Sequence, residues 1–275
     1  MEALALPFFR IAVIATLVLA GIHAYLGYHV VRRGVIFVDL ALAQMAALGV
    51  ALTVVFDLHE SELWSYLLPL GMTLVGAGCF AWLRSQERKV PLEAFIGIVF
   101  ATAQALVFLA LEKSPSGPEH VKETLVGAIY TVAPTHILKT AILYAAVGVV
   151  HFLLRRPFFE ITNDPEGARR KGRSLFLWDF LFYALFGLVV TSSVKIAGVL
   201  LVFGLLVIPS VAGILVTRTP GRALVVGWVF AFLASFAGLV GAVHFDLPAA
   251  PSILVSLSTS LVVLGAAIRL LRRET

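Results

Sequence analysis

The sequence has 275 residues, of which 60% are hydrophobic and 13% are charged, about half the charged share of a soluble domain. Apolar runs of about 18 or more residues recur along the whole chain, and each is long enough to cross the roughly 30 Å of hydrocarbon in a bilayer. These features exclude a soluble domain, so the net charge of +5 reflects membrane topology and does not indicate a nucleic-acid surface. The composition predicts an all-α, polytopic integral membrane protein in contact with lipid.

Nine apolar segments of about 20 residues are candidate transmembrane helices. They are residues 8–31, 35–56, 61–83, 91–111, 136–156, 175–193, 195–217, 221–243 and 251–271. The turn at Ser192 to Lys195 is short, so eight crossings with a broken helix at that point are the alternative. Together the segments predict a single transmembrane domain over residues 1–275.

The basic residues are distributed unevenly between the two ends of these segments. If the chain alternates sides, 16 of the 21 lysines and arginines fall on one side and five fall on the other. Cytoplasmic loops carry the excess of lysine and arginine in membrane proteins. The sequence therefore predicts a protein of the cytoplasmic membrane with its N-terminus outside and its C-terminus in the cytoplasm.

Two polar loops are long enough to have structure of their own. The first, about 112–135, is predicted to face outward, with an interfacial or re-entrant piece that ends at Pro134. The second, about 157–174, lies on the basic side and carries the signals of a short helix. They are an N-cap at Asp164, proline at the first position, Pro165, Glu166 in the first turn, and Gly172 just past the end.

The stretch from Arg32 to Gly49 places a carboxylate, Asp39, in an apolar run. An ionised carboxylate at membrane depth costs at least a few kcal/mol, about 2.5 or more on insertion scales, so it needs a partner, a water-filled cavity or a transported cation. One hypothesis is that Asp39 is a functional group of a translocation path. The alternative is that Arg33, about 9 Å away along a helix, stabilises Asp39 at the membrane edge.

A second feature of the apolar runs is Pro209, which removes a backbone hydrogen bond and predicts a kinked helix. Such a kink is either a static bend or a hinge, and the static bend is the commoner case.

No motif of an enzyme is present in the sequence. It lacks a G-x-x-x-x-G-K-[ST] phosphate loop, an H-E-x-x-H zinc motif and a G-x-S-x-G nucleophile elbow. The chain is therefore not expected to hydrolyse ATP or to catalyse a reaction itself.

Four segments occur in a characteristic order and span most of the chain. They are VRRGVIFVDLALAQMAALGVAL, LEAFIGIVFATAQALVFLAL with Glu93 at an acidic position, ITNDPEGARRKG, and VKIAGVLLVFGLLVIPSVAGILV followed by HFDLPAAPSILV with Asp246 and Pro248. Together they resemble the membrane permeases of zinc, manganese and iron ABC importers. Glu93, Asp246 and Pro248 match motif positions to which we assign no role.

The resemblance implies a type II-like importer permease with a homodimeric transmembrane core. It implies two cytoplasmic ATP-binding-cassette ATPase subunits, which carry ATP hydrolysis, and an extracytoplasmic metal-binding solute-binding protein. A divalent metal ion is then the substrate, and no cofactor is expected on this chain. The loop at about 157–174 becomes the element that couples the permease to the ATPase. Its matching and neighbouring residues are Asp164, Pro165, Glu166, Ala168, Arg169, Arg170, Lys171 and Gly172.

The first segment departs from the family pattern, in which a histidine follows the aspartate by four residues. Counted from the arginines that position is Ala43, and counted back from Gly49 it is Gln44, so this sequence has one added residue and no imidazole. We predict that Asp39 and Gln44 line the path, brought together by a π-bulge or other irregularity. The alternative is a regular helix on which the two residues diverge and Asp39 is the one candidate.

The leading hypothesis is thus an ABC importer permease that moves a divalent metal ion inward. The alternatives are a permease for a metal chelate or cofactor, because a site without histidine need not bind a naked ion, and a membrane scaffold without transport activity.

Overall fold

The computed structural model describes residues 7–58, 61–86, 90–112, 127 and 129–271. Within these ranges the chain forms ten α-helices and no strand, which confirms the all-α prediction. The helices are α1 (Pro7–Arg33), α2 (Val38–Val55), α3 (Glu62–Ser85), α4 (Leu92–Leu111), α5 (Pro134–Leu153), α6 (Arg155–Asn163), α7 (Pro165–Arg170), α8 (Leu175–Val216), α9 (Pro220–His244) and α10 (Ala249–Leu271).

Eight of the helices in these ranges are long and apolar enough to cross a membrane, and the short α6 and α7 are not among them. Seven of the predicted segments each correspond to one helix, with ends that differ by at most three residues. This agreement has a simple cause, since the length of an apolar run is set by the thickness of the bilayer.

The other two predicted segments lie within the single stretch α8, which has 42 residues. A straight helix of that length would extend about 63 Å at 1.5 Å per residue, roughly twice the hydrocarbon thickness. The backbone leaves the helical region at Gly198, with φ 72° and ψ 161°, a conformation open to glycine. The predicted turn at Ser192 to Lys195 is therefore misplaced by three residues, because the prediction followed polar side chains and not backbone freedom.

The chain divides into two compact units, and the first contains residues 1–31, 125–144 and 195–275. Small residues bring its helices into contact, as is typical of membrane helices. A methyl group on Gly27 of α1 would overlap the carbonyl oxygen of Leu206 in α8. The hydroxyl of Ser210 donates to the carbonyls of Ala24, at 3.1 Å, and Leu206, at 2.8 Å.

The second unit contains residues 32–124 and 145–194. In it α2 packs on α3, where a Cβ atom on Gly49 would lie 2.6 Å from the carbonyl oxygen of Leu68. The side-chain hydroxyls of Thr73 in α3 and Thr191 in α8 lie 3.3 Å apart. This unit holds Asp39, Gln44 and Glu93, and the prediction of one domain over residues 1–275 stays a prediction.

The predicted outer loop is described at its end alone, since residues 113–126 and 128 lie outside the described ranges. Pro134 is the first residue of α5 and so begins a helix, a position that suits proline because its missing N–H group has no partner there in any case.

Candidate functional site

A tight turn between α1 and α2 precedes Asp39 within the second unit. The turn reverses at Gly34, whose φ of 67° is strained for other residues, and the N–H group of Val38 donates to the carbonyl of Val35 at 3.2 Å. The backbone hydrogen bonds of α2 begin directly after this turn, where the N–H group of Ala41 donates to the carbonyl of Phe37. Asp39 consequently lies in the first turn of α2, with a side chain that is 1% exposed.

Glu93 lies in the first turn of α4 and reaches the same turn. Its Oε1 atom accepts a hydrogen bond from the N–H group of Phe37 at 3.3 Å. Phe37 lies two residues before Asp39, so the Glu93 carboxylate lies at the start of α2, where Asp39 also lies. The structure therefore brings together two acidic side chains that are 54 positions apart in the sequence, by the arithmetic 93 minus 39.

The pair is short of hydrogen-bond donors. Both carboxylate oxygens of Asp39 and the Oε2 atom of Glu93 are buried, and none of the three has a hydrogen-bond partner among the described residues. Buried polar atoms are normally satisfied, and an exception requires an explanation such as an ion or a water. Two carboxylates of like charge, with three unsatisfied oxygens in all, form a site that a cation would neutralise, and oxygen donors suit hard divalent metals.

The arrangement does not form a complete metal site by itself. No group of three or more histidine, cysteine, aspartate or glutamate side chains with metal-binding geometry occurs in the part of the chain that the structure describes. A cation at Asp39 and Glu93 would complete its shell with water or with other oxygen ligands, which are common for hard divalent ions.

Gln44, the second residue predicted for the path, is also buried, at 5% exposure. However, α2 is a continuous α-helix from Val38 to Val55, so the predicted π-bulge or other irregularity is wrong. Residues five apart on such a helix point about 140° from each other. The added residue needs no bulge, because the turn at Gly34 lies between the arginines and Asp39 and can absorb it.

Arg33 is not the partner of Asp39, contrary to the alternative considered above. Its Nη1 atom bonds Asp179 Oδ1 at 2.7 Å, and Nη1 of Arg84 bonds the same oxygen at 2.5 Å. The guanidinium of Arg33 also stacks on the ring of Phe182, 4.0 Å from its centroid. We call Arg33, Arg84 and Asp179 the charge cluster. Sequence reasoning missed Asp179, although a lone acidic residue in the apolar segment 175–193 was a signal for it.

The segment formed by α6 and α7 has the predicted helix signals. Asp164 caps α7 by accepting the N–H group of Gly167 at 2.8 Å, and Pro165 is the first helical residue. Gly172, just past the end, has a φ of 81°. Glu166 lies in the first turn, and Arg169 and Arg170 lie in the last turn. The predicted capped helix is therefore confirmed.

Ion pairs join α6 to the residues that follow α7. Glu160 Oε1 accepts from Lys171 at 2.5 Å, and its Oε2 accepts from Arg173 at 2.6 Å. These two hydrogen bonds, that from Lys171 first, lower the pKa of the Glu160 carboxyl below its ordinary value.

The remaining predicted positions lie elsewhere in the first unit. Pro209 is inside α8, in which Gly198 is the residue with non-helical backbone, so the kink at Pro209 stays a prediction. Asp246 is exposed, with a φ of 51° that aspartate tolerates better than most residues. Pro248 precedes α10, and its carbonyl accepts the N–H group of Ser252 at 3.3 Å.

Comparison with known proteins places this architecture in a family. The sequence model of the ABC 3 transport family matches residues 5–268. The high-affinity zinc uptake system membrane protein ZnuB of Haemophilus influenzae is 26% identical over 251 residues, which cover 89% of this chain and 91% of the relative. The manganese transport system membrane protein MntC of Halalkalibacterium halodurans is 22% identical, with 94% of this chain and 86% of the relative covered.

A solved structure has the same fold. The chain matches PsaBC from Streptococcus pneumoniae in complex with Fab with a TM-score of 0.78 at 19% identity, over 94% of this chain and 91% of that chain. A family match over nearly the whole length and a shared fold agree with the resemblance of the four sequence segments. The chain belongs to the ABC 3 transport family and is a membrane permease subunit of an ATP-binding-cassette importer.

Proposed function

We propose that the cargo of this permease is a divalent metal ion and that Asp39 and Glu93 bind it during translocation. The observation that supports this proposal is the set of three buried carboxylate oxygens without a hydrogen-bond partner. Relatives are described as zinc and manganese transport proteins. The donors at this site are oxygens alone, which suit manganese(II) better than zinc, a metal for which imidazole and thiolate are the stronger ligands.

The two carboxylates act by compensating charge. A divalent cation that leaves water loses hydration, and two anionic side chains replace part of that stabilisation. Without the cation the same carboxylates repel each other, so the site favours occupancy over an empty state. Gln44 contributes at most a neutral carbonyl oxygen farther along α2.

The partners are those expected of such an importer. Two copies of this chain form the translocation path, an extracytoplasmic solute-binding protein delivers the metal, and cytoplasmic ATPase subunits hydrolyse ATP. The N-terminus lies outside and the C-terminus lies in the cytoplasm, which places the α6–α7 segment against the ATPase. Asp164, Glu166 and the basic residues 169–171 are the proposed contacts.

Uptake by the reconstituted complex tests the cargo. Liposomes that contain the permease and its ATPase are supplied with the loaded binding protein, and ATP is present on both sides of the membrane. The uptake of manganese(II), iron(II), zinc(II) and an iron chelate is then measured. We expect uptake of manganese(II) above the background measured without ATP, and Asp39→Asn should lower it at least about tenfold.

Asp57→Asn is the matched control, because Asp57 is an exposed aspartate two residues past the end of the same helix. Uptake of the chelate alone would contradict the proposal in favour of a chelate permease. The absence of any uptake, with the ATPase bound, would indicate a scaffold. Normal manganese uptake by Asp39→Asn would remove Asp39 from the path.

A further inference from the structure

The α6–α7 segment and the carboxylate pair are connected through one residue, Arg33. On its side-chain end, Nε of Arg33 donates to the hydroxyl oxygen of Thr162, in the last turn of α6, at 2.9 Å. Asp164, two residues after Thr162, is the N-cap of α7. The side chain of Arg33 is thus bonded to the segment that we propose to contact the ATPase.

On its backbone end, Arg33 is the last residue before the turn that holds the carboxylates. Gly34 reverses the chain, the Phe37 N–H group bonds Glu93, and Asp39 follows in the first turn of α2. Four peptide units therefore separate the guanidinium-bearing residue from the amide that holds Glu93. We expect a displacement of Arg33 to reach that amide, because the turn between them is short.

The charge cluster restricts the position of the Arg33 side chain. The Arg33 side chain is fully buried, at 0% exposure, and Asp179 holds its Nη1 atom while Phe182 supports the face of its guanidinium. Together with the hydrogen bond to Thr162, these contacts hold the buried guanidinium on three sides and leave it few alternative positions. The α6 contact is the one of the three that belongs to the α6–α7 segment, so a movement of that segment acts on Arg33 through Thr162.

We propose that Arg33 is a positioning residue that transmits movement of the α6–α7 segment to Asp39 and Glu93. Arg32 supports the same link from the surface, with Nη2 at 3.4 Å from the side-chain oxygen of Asn163. The role as a step in metal transport rests on the proposed function, whereas the mechanical link itself can be measured without any cargo.

Two conservative variants test the link. Thr162→Val removes the acceptor of the Arg33 Nε–H group and leaves the ion pair with Asp179 in place. Arg33→Lys keeps the positive charge near Asp179 but removes the Nε donor and the planar group that stacks on Phe182. Thr73→Val is the matched control, because Thr73 is a fully buried threonine of the same unit whose hydroxyl bonds Pro69 and Thr191 instead.

The first measurement is hydrogen–deuterium exchange of the peptide that contains residues 34–40, in the complex with its ATPase. We expect that a non-hydrolysable ATP analogue changes the exchange rate in the unmodified protein and in Thr73→Val. The change should shrink at least fivefold in Thr162→Val and Arg33→Lys. An equal response in all four proteins, or no response in the unmodified one, would overturn the proposal.

The second measurement is the number of manganese(II) ions taken up per ATP hydrolysed. We expect a decrease of at least fivefold for Thr162→Val and Arg33→Lys and none for Thr73→Val. A ratio equal to that of the unmodified complex in both variants would overturn the role in coupling. If the unmodified complex moves no manganese(II), the proposed cargo is wrong, and the exchange measurement still decides whether Arg33 forms the link.

Discussion

The second unit buries two groups of charges that differ in the sign of the charge beside each member. In the charge cluster, two arginines share an oxygen of Asp179, and every member has an opposite charge beside it. In the pair of Asp39 and Glu93, both side chains are acidic, so neither supplies an opposite charge to the other. The comparison shows that burial alone does not separate structural charges from functional ones, whereas the state of their partners does.

The two groups should therefore respond oppositely to neutralisation. Removal of one member of a compensated buried pair leaves the other charges without a counter-ion, which is strongly destabilising. Removal of an uncompensated charge relieves repulsion and desolvation, so the folded state loses nothing but its affinity for the cation. Substitutions of aspartate by asparagine test this contrast because they change charge and hardly change shape.

The largest effect is expected for Asp179→Asn. It leaves Arg33 and Arg84 facing each other in a buried site, and we expect the free energy of unfolding to fall by about 3–5 kcal/mol. Thermal unfolding of the purified permease in detergent measures the loss. Asp57→Asn, at an exposed position, should stay within about 0.5 kcal/mol of the unmodified protein. Equal stability of the two variants would mean that the charge cluster is not structural.

The second effect sharpens the comparison at Asp39. Asp39→Asn should leave the midpoint of thermal unfolding unchanged or raise it, because an uncompensated buried charge is removed. In the same variant, uptake of manganese(II) should fall at least about tenfold, equivalent to roughly 1.4 kcal/mol of lost cation stabilisation. A lower midpoint would indicate that Asp39 has a structural partner and would break the contrast with Asp179.

A third and smaller difference separates Glu93 from Gln44. Because Glu93 lies beside Asp39 whereas Gln44 points about 140° away on the same helix, Glu93→Gln should reduce uptake more than Gln44→Leu does. Uptake at several metal concentrations distinguishes weaker binding from slower turnover. The reverse order would restore the pair of Asp39 and Gln44 that the family pattern suggests.

The smallest effect is expected for the exposed ion pairs of the α6–α7 segment. The lowered pKa of Glu160 means that its pairs with Lys171 and Arg173 contribute above the ordinary carboxyl pKa and are lost as the pH falls through the lowered value. At neutral pH the pairs are complete but screened, since the side chain of Lys171 is 71% exposed. Glu160→Gln should leave the unfolding midpoint at pH 7 unchanged, and a clear decrease would show that these pairs resemble the charge cluster.

Local features of the fold could be predicted from the sequence. The caps of α7 need Asp164 and Pro165 at its start and Gly172 just past its end, and the chemistry of each cap acts within one turn. Helix ends within three residues follow from the length of each apolar run. Asp39 was identified because a lone carboxylate in such a run is rare and costly.

The partners of the charged residues could not be predicted in the same way. Arg33, Arg84 and Asp179 lie on three helices that are distant in the sequence, so no spacing rule connects them. Arg33 is close to Asp39 along the chain, yet it bonds Asp179, because the turn at Gly34 separates the end of α1 from the start of α2. Glu93 matched a family position, but its place beside Asp39 depends on how α2 and α4 pack.

The break at Gly198 has a consequence for how the chain enters the membrane during synthesis. The insertion machinery meets residues 175–216 as one apolar stretch of 42 residues, in which Lys195 is the single positive charge. That charge lies three residues before the point at which the backbone stops being helical. The positive charge and the glycine that lets the chain change direction are therefore neighbours, so a substitution at either residue should alter the number of crossings that the ribosome-bound chain makes.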